Sequence, residues 1–393
     1  MRILFILTLL VFPFMSNGQA SNYIQLSEKA QISLVTCGSG EDLYALFGHS
    51  AVRVYDPERK FDIVYNYGVF DFDTPNFYLK FTAGKLPYKV APNHYSRFVK
   101  AYIRRDRSVS EQELNLSQEE KQAVFEYLEN NLKPENRYYQ YDFFFDNCAT
   151  KIRDIFQDVL GDKLKFYEDP ADEGKTFRNL IDEYLIYSPW ADFGIDLALG
   201  SKTDDIVQLD DFMFLPEYME KAFGMATLSN DENGTIPFVK SKKVLYEASP
   251  LKKPTGIIAY PFRLIGLLCL VLVSIEALLF KKGSQRYILE GTLFLVIGIV
   301  GLILTLLWFA TDHNITVTNW NLLWANPLYL LAAFWAFKGK SKPKFFAGLA
   351  VSEALVLISF IFLPQALHIA CIPIIILLAV CNLRIAYQGQ RLR

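Results

Sequence analysis

The sequence predicts an α+β domain exported across a membrane, followed by an all-α membrane domain of about five helices, and three observations predict it. The chain opens with Met1-Arg2, an apolar run from Ile3 to Phe14, and then Ser16-Asn17-Gly18-Gln19-Ala20. These are the charged, apolar and small-residue parts of a secretory signal peptide. Short alternating apolar segments and a capped amphipathic pattern fill the next stretch, as expected of mixed strands and helices. From Ile257 the composition turns apolar, with runs near 258–280, 287–309, 322–337, 345–363 and 366–383. Each is close to the roughly 20 residues that cross a bilayer. The expected division is 1–20 signal peptide, 21–165 α+β domain, 166–256 mainly helical extension or cap, and 257–393 transmembrane domain.

Charge between the apolar runs sets the orientation. Lys281, Lys282 and Arg286 follow the first run, Lys338, Lys340, Lys342 and Lys344 the third, and Arg384, Arg391 and Arg393 the fifth, whereas 310–321 and 363–367 carry neither Lys nor Arg. Basic loops stay on the cytoplasmic side, which places residues 21–256 outside, in agreement with the signal peptide. Of the chain's 40 Lys and Arg and 42 Asp and Glu, eleven and four lie in residues 257–393 and one Arg lies in the leader. The exported part therefore holds 28 basic against 38 acidic residues. An acidic surface of this kind argues against a nucleic-acid partner.

Within the exported part, Ile32–Thr36 has strand character, Cys37–Asp42 is a loop, and Leu43–Phe47 is a short turn or helix. Ala51–Tyr55 and Ile63–Tyr67, joined by Pro57-Glu58-Arg59-Lys60, make a hairpin. If Asp56 stands opposite Phe61, then His49 faces Gly68 and Asn66 lies diagonally on the same face. Residues 117–131 begin with Ser117 and Glu120 at capping-box spacing and make an amphipathic helix. Tyr138, Tyr139, Tyr141, Phe143, Phe144 and Phe145 form a strand-like aromatic run that either packs in the core or lines an apolar groove. Residues 176–225 read as mainly helical. Cys269, Cys371 and Cys381 fall within apolar runs and act as small packing residues. Glu353, inside the fourth run, demands a polar partner, and His313 and Asp312 belong to an outer loop. His94 reads as a surface loop residue.

The chemistry concentrates at Cys148, where the aromatic run gives way to a helical pattern. A thiol at a helix start feels the positive end of the helix dipole, which favours thiolate. Among the four histidines, only His49 and His94 precede the membrane segments, and His49 is the imidazole expected to act as general base. Asn66 is the side-chain amide expected to orient it, completing a nucleophile, base and orienter set. No cofactor or metal is called for.

Thr36-Cys37-Gly38, the run Leu46–Asp56, Asn66–Phe72, Pro75-Asn76-Phe77-Tyr78 and Asp142–Thr150 resemble the Lnb-type lipoprotein N-acyltransferases of bacteria. The segments Thr311-Asp312-His313 and Asn319–Leu328 resemble the transmembrane domain that accompanies them. The resemblance implies a circularly permuted papain-like (NlpC-like) fold, a catalytic cysteine at Cys148 and a histidine at His49. It implies an inner-membrane, multi-pass enzyme with its catalytic domain in the periplasm. The implied reaction moves an acyl chain from the diacylglyceryl-cysteine of a lipoprotein to that cysteine's α-amino group through a Cys thioester. The partners would then be a diacylated lipoprotein and the phospholipid around it. Two alternatives stand beside this. One is a papain-like cysteine amidase or endopeptidase acting on cell-wall peptides. The other is a non-catalytic envelope binding protein in which Cys37 and Cys148, the exported part's two cysteines, form a disulfide.

Overall fold

The computed structural model of the chain describes residues 23–230, 234–284 and 286–391, so the signal peptide expected at 1–20 lies outside the described residues. The strands are β1 (Gln31–Cys37), β2 (His49–Asp56), β3 (Phe61–Phe70), β4 (Pro87–His94), β5 (Val109–Leu114), β6 (Tyr138–Gln140), β7 (Leu164–Lys165), β8 (Thr227–Asn230), β9 (Gly234–Pro237) and β10 (Val239–Tyr246). Seven of them form one sheet in the order β10-β5-β1-β2-β3-β4-β6, antiparallel at every pair. The β2–β3 pairing runs from Val52–Tyr65 to Asp56–Phe61, the register read from the hairpin. Asp56 holds the turn, accepting from the backbone N–H of Ser27, Glu58 and Arg59 and from the Ser27 hydroxyl.

The helices of the same domain are α1 (Phe77–Thr82), α2 (Tyr95–Ile103), α3 (Gln118–Asn131), α4 (Cys148–Leu160), α5 (Phe177–Leu185), α6 (Pro189–Ala198) and α7 (Pro216–Met225). Ser117 and Glu120 form the expected capping box of α3. Strand β1 is covered on both faces, which is why its side chains are nearly all buried. Ile32 and Leu34 pack with Val124, Ile152 and Phe156 of α3 and α4. Val35 and Cys37, on the other face, pack with Phe98 of α2.

Two expectations are corrected here. The segment 166–256 carries α5, α6 and α7 as a helical extension would, but it is not only helical and is built into the first domain: β10 pairs with β5, and Met219, Phe223 and Phe238 enter the core with Ile32 and Leu34. The aromatic run is not one strand either. After β6 the chain turns at Asp142–Asp146, whose backbone groups bond each other, and Phe144 is fully buried against Phe177 and Phe214. Apolar burial there outweighs strand propensity.

The C-terminal region is helical: α8 (Pro261–Lys281), α9 (Ile288–Phe309), α10 (Leu328–Phe337), α11 (Pro343–Ser359) and α12 (Cys371–Arg391). Three of these, α8, α9 and α12, are long and apolar enough to cross a membrane. Helices α10 and α11, with 10 and 17 residues, are shorter than the runs that announced them. Residues before Pro327 are drawn out of the helix because Asn319 and Asn321 donate to the carbonyls of Asp196, Leu197 and Ala198 in the first domain. The buried charged side chains Arg384, Glu276, Glu290 and Glu353 each have a polar partner, as burial in an apolar surrounding demands. Arg384 bridges Glu276 and Glu290, and Glu353 accepts from Tyr329 and Asn382.

Candidate active site

Cys148 is the first residue of α4. Its neighbour Asn147 caps the helix, accepting from the N–H groups of Ala149 at 2.7 Å and Thr150 at 3.0 Å, while the Thr150 hydroxyl accepts from Asn147 N–H at 2.8 Å. The Asn147 side-chain amide also donates to the carbonyls of Phe143 and Phe214 at 2.7 and 2.8 Å. The cap thus ties the helix start to the aromatic turn and to the α7 region, and leaves the Cys148 N–H uncommitted to the cap.

His49 begins β2, at the point where β2 and β3 part from their paired register. Gly68 sits in this irregular stretch of β3 with φ of +82°, a backbone shape that glycine adopts without strain. A Cβ built there would lie 3.6 Å from that of Cys148, so the glycine also lets α4 approach. His49 Nε2 lies 2.6 Å from Asn66 Oδ1. That oxygen only accepts, so Nε2 carries a hydrogen and Nδ1 is the ring nitrogen left for the sulfur. The imidazole stacks on Tyr102 at a centroid distance of 6.1 Å and leans on Phe98 at 6.3 Å.

Electrostatics favour the ion pair. Burial raises the Cys148 thiol, but the His49 imidazolium, its hydrogen bond, and the N–H groups of Ser50 and Cys148 together bring it below its ordinary value. Burial lowers His49, and the Cys148 thiolate with the Cys148 and Asn66 hydrogen bonds raises it above its ordinary value. Each shift stabilises the other's charge. Tyr139 and Tyr141 flank the thiol, both pushed up by burial and then by its negative charge.

The residues singled out from sequence sit as follows. Cys148, His49 and Asn66 are brought together. Cys37 is a free, fully buried thiol opposite His49 in the β1–β2 pairing, and Cys148 is free as well. His94 is exposed at the end of β4. His313 bonds the Thr82 carbonyl at 3.2 Å. Sequence reading missed Tyr102, whose only signal is its spacing of four from Phe98 on α2, and Arg107, buried with its Nε donating to the Gly38 carbonyl at 2.8 Å. It also missed Asp182, Asp192 and Asp196, whose carboxylate oxygens lie within 4.8 Å of one another on α5 and α6. Burial and the neighbouring carboxylates raise Asp182 to about 7, and burial raises Asp196 to about 6 against the pull of Arg178. Asp192 pairs with His368 of the membrane region at 3.5 Å.

The fold and site define a membrane-bound protein whose extramembrane α+β domain holds a mutually stabilised thiol and imidazole. The chain belongs to the Lnb-type family: the family model described as Lnb N-terminal periplasmic domain matches residues 21–183, and that described as Lnb transmembrane domain matches 253–391. Its N-terminal domain is thus periplasmic and its helical region is the transmembrane domain. No curated protein and no solved structure matches the chain.

Proposed function

We propose that the protein is an inner-membrane lipoprotein N-acyltransferase that uses Cys148 as nucleophile, His49 as acid and base, and Asn66 as the group that orients His49. The observation that carries the reading is the Cys148–His49–Asn66 array at the start of a capped helix, in a chain whose two domains both match this family. The order of parts, His49 on a strand and Cys148 on a later helix packed against that strand, fits a circularly permuted papain-like domain. The five C-terminal helices act as the multi-pass anchor, with α10 and α11 as shorter members.

In the first half-reaction the thiolate attacks the acyl ester of a diacylglyceryl-cysteine. A C–S bond forms, the C–O bond breaks, and the glycerol oxygen takes a proton from His49. In the second, His49 removes a proton from the lipoprotein's α-amino group, whose nitrogen attacks the thioester. An amide forms, the C–S bond breaks and the thiolate returns. The Cys148 backbone N–H, at the positive end of α4, is positioned to serve the oxyanion, a role worth on the order of 3 kcal/mol in comparable sites.

A lipid substrate also suits the surroundings of the thiol. Tyr88 stacks on Tyr141 at 4.2 Å and meets the tilted ring of Phe70 at 4.8 Å, giving an apolar run of rings between Cys148 and the α1 region. The test is mass spectrometry of lipoprotein N-terminal peptides from cells carrying the native protein, the Cys148→Ala variant, or neither. N-acylated, O-deacylated cysteine in native cells alone is the expected result. Identical N-terminal lipid in all three, with altered peptidoglycan fragments, overturns the transferase in favour of a cell-wall peptidase or amidase.

A further inference from the structure

The segment between β3 and β4 carries large apolar side chains with nothing over them. Phe72, Tyr78, Leu79 and Phe81 are 72%, 82%, 71% and 47% exposed, and no residue of α1 is buried. Phe72 and Phe81 contact Phe70 and Phe77 ring to ring, so the cluster is a formed wedge rather than a set of separate exposed residues. A soluble domain rarely leaves so contiguous an apolar patch open to water.

Its height relative to the bilayer is set by hydrogen bonds. Helix α9 has 22 residues, about 33 Å of helix at 1.5 Å per residue, matching the hydrocarbon core. It begins beside the basic loop at 281–286 and ends at Phe309, itself 72% exposed. Three residues further on, Asp312 N–H donates to the Ala83 carbonyl at 2.9 Å, and His313 bonds the Thr82 carbonyl. Gly84 lies so close to His313 that a Cβ there would come within 3.1 Å of the His313 backbone nitrogen and ring. Asn314 donates to Asp142 at 3.1 Å, and Lys85 faces Asp312 at 3.9 Å. The C-terminal end of α1 is therefore pinned to the outer end of a membrane-crossing helix, at the level where lipid headgroups lie. Tyrosine and phenylalanine side chains at that level partition into the interface.

We propose that Phe72 and α1 form a wedge seated in the outer leaflet of the phospholipid bilayer. The occupant of the patch is lipid, and the wedge holds the periplasmic domain at a fixed tilt, with the ring run from Phe70 to Tyr141 opening on the leaflet. The inference stands on α9 and the exposed rings and does not depend on the reaction assigned to Cys148.

The test uses the full chain in vesicles of phosphatidylethanolamine and phosphatidylglycerol. Tyr78→Cys, Leu79→Cys and, as an exposed control in the β2–β3 turn, Arg59→Cys are each made in a Cys148→Ala background and labelled with an environment-sensitive fluorophore. The other four cysteines are buried. Melting midpoints equal to that of the Cys148→Ala parent establish folding, and two wedge positions are used so that one suffices. The wedge predicts that labels at 78 and 79 are quenched several-fold more by acyl-chain nitroxide lipids than the label at 59, and several-fold less by aqueous iodide. Iodide quenching at 78 and 79 equal to that at 59, with no effect of nitroxide lipids, overturns the proposal.

Discussion

Cys148 and Cys37 are both free thiols of the periplasmic domain, both next to His49, and opposite in chemistry. Cys37 ends a strand covered on both faces, where burial, the dominant influence, drives its thiol far above its ordinary value despite Arg107 nearby. Cys148 is also penalised by desolvation, yet it starts a helix and faces an imidazole and two backbone N–H groups, and its thiol falls below the ordinary value. The difference teaches that what a buried thiol faces, the imidazole first and backbone N–H groups second, decides reactivity more than depth does. Cys37 sits in a strand paired on both sides, whereas Cys148 faces the His49 imidazole and two backbone N–H groups, its own at the start of α4 and that of Ser50 on β2.

The comparison is broken most sharply by substitution. Cys148→Ala is expected to abolish the proposed acyl transfer while leaving the melting temperature close to native. Cys37→Ala retains turnover of the same order and lowers stability by about 1–2 kcal/mol through the cavity it leaves. Lipopeptide mass spectrometry and thermal unfolding read the two effects. Equal loss of turnover in both variants would erase the distinction.

The next effect is on thiol reactivity. Alkylation of native Cys148 by iodoacetamide falls as pH drops through its lowered pKa, since protonation removes the thiolate, while Cys37 stays unlabelled until the protein unfolds. His49→Ala moves the Cys148 titration upward and slows alkylation at pH 7 by at least about tenfold. For turnover, the acidic limb follows Cys148 and the alkaline limb follows loss of the proton from His49, displaced above its ordinary value.

Smaller effects belong to the positioning groups. Asn66→Ala frees the imidazole to rotate and is expected to lower turnover about 10- to 100-fold with little change in KM, while Asn66→Gln restores part of it. Asn147→Ala removes the cap of α4 and costs about 1–2 kcal/mol in thermal unfolding, with a minor upward drift of the Cys148 titration.

Much of this was legible in the chain. The turn Pro57–Lys60 between alternating runs announced the hairpin, and the hairpin's register brought Asn66 to His49's side. Ser117 and Glu120 announced α3. The aromatic stretch was misread as a strand because ring content signals burial before it signals extension, and Phe144 is buried in a turn. The reach of 166–256 into the main sheet was hidden because β10 pairs with β5 across more than a hundred residues of sequence. The shortened α10 was hidden too, since Asn319 and Asn321, just before the apolar run, tie the chain to carbonyls of the first domain and the helix begins only after Pro327.

The most direct measurement is intact-mass and peptide analysis of the purified full-length protein after brief exposure to a synthetic diacylglyceryl-cysteine lipopeptide whose α-amino group is blocked. The account predicts one acyl chain on the Cys148 peptide, released by hydroxylamine, with none on Cys37. An acyl group on another residue, or O-deacylated lipopeptide accumulating with Cys148 never modified, would contradict it.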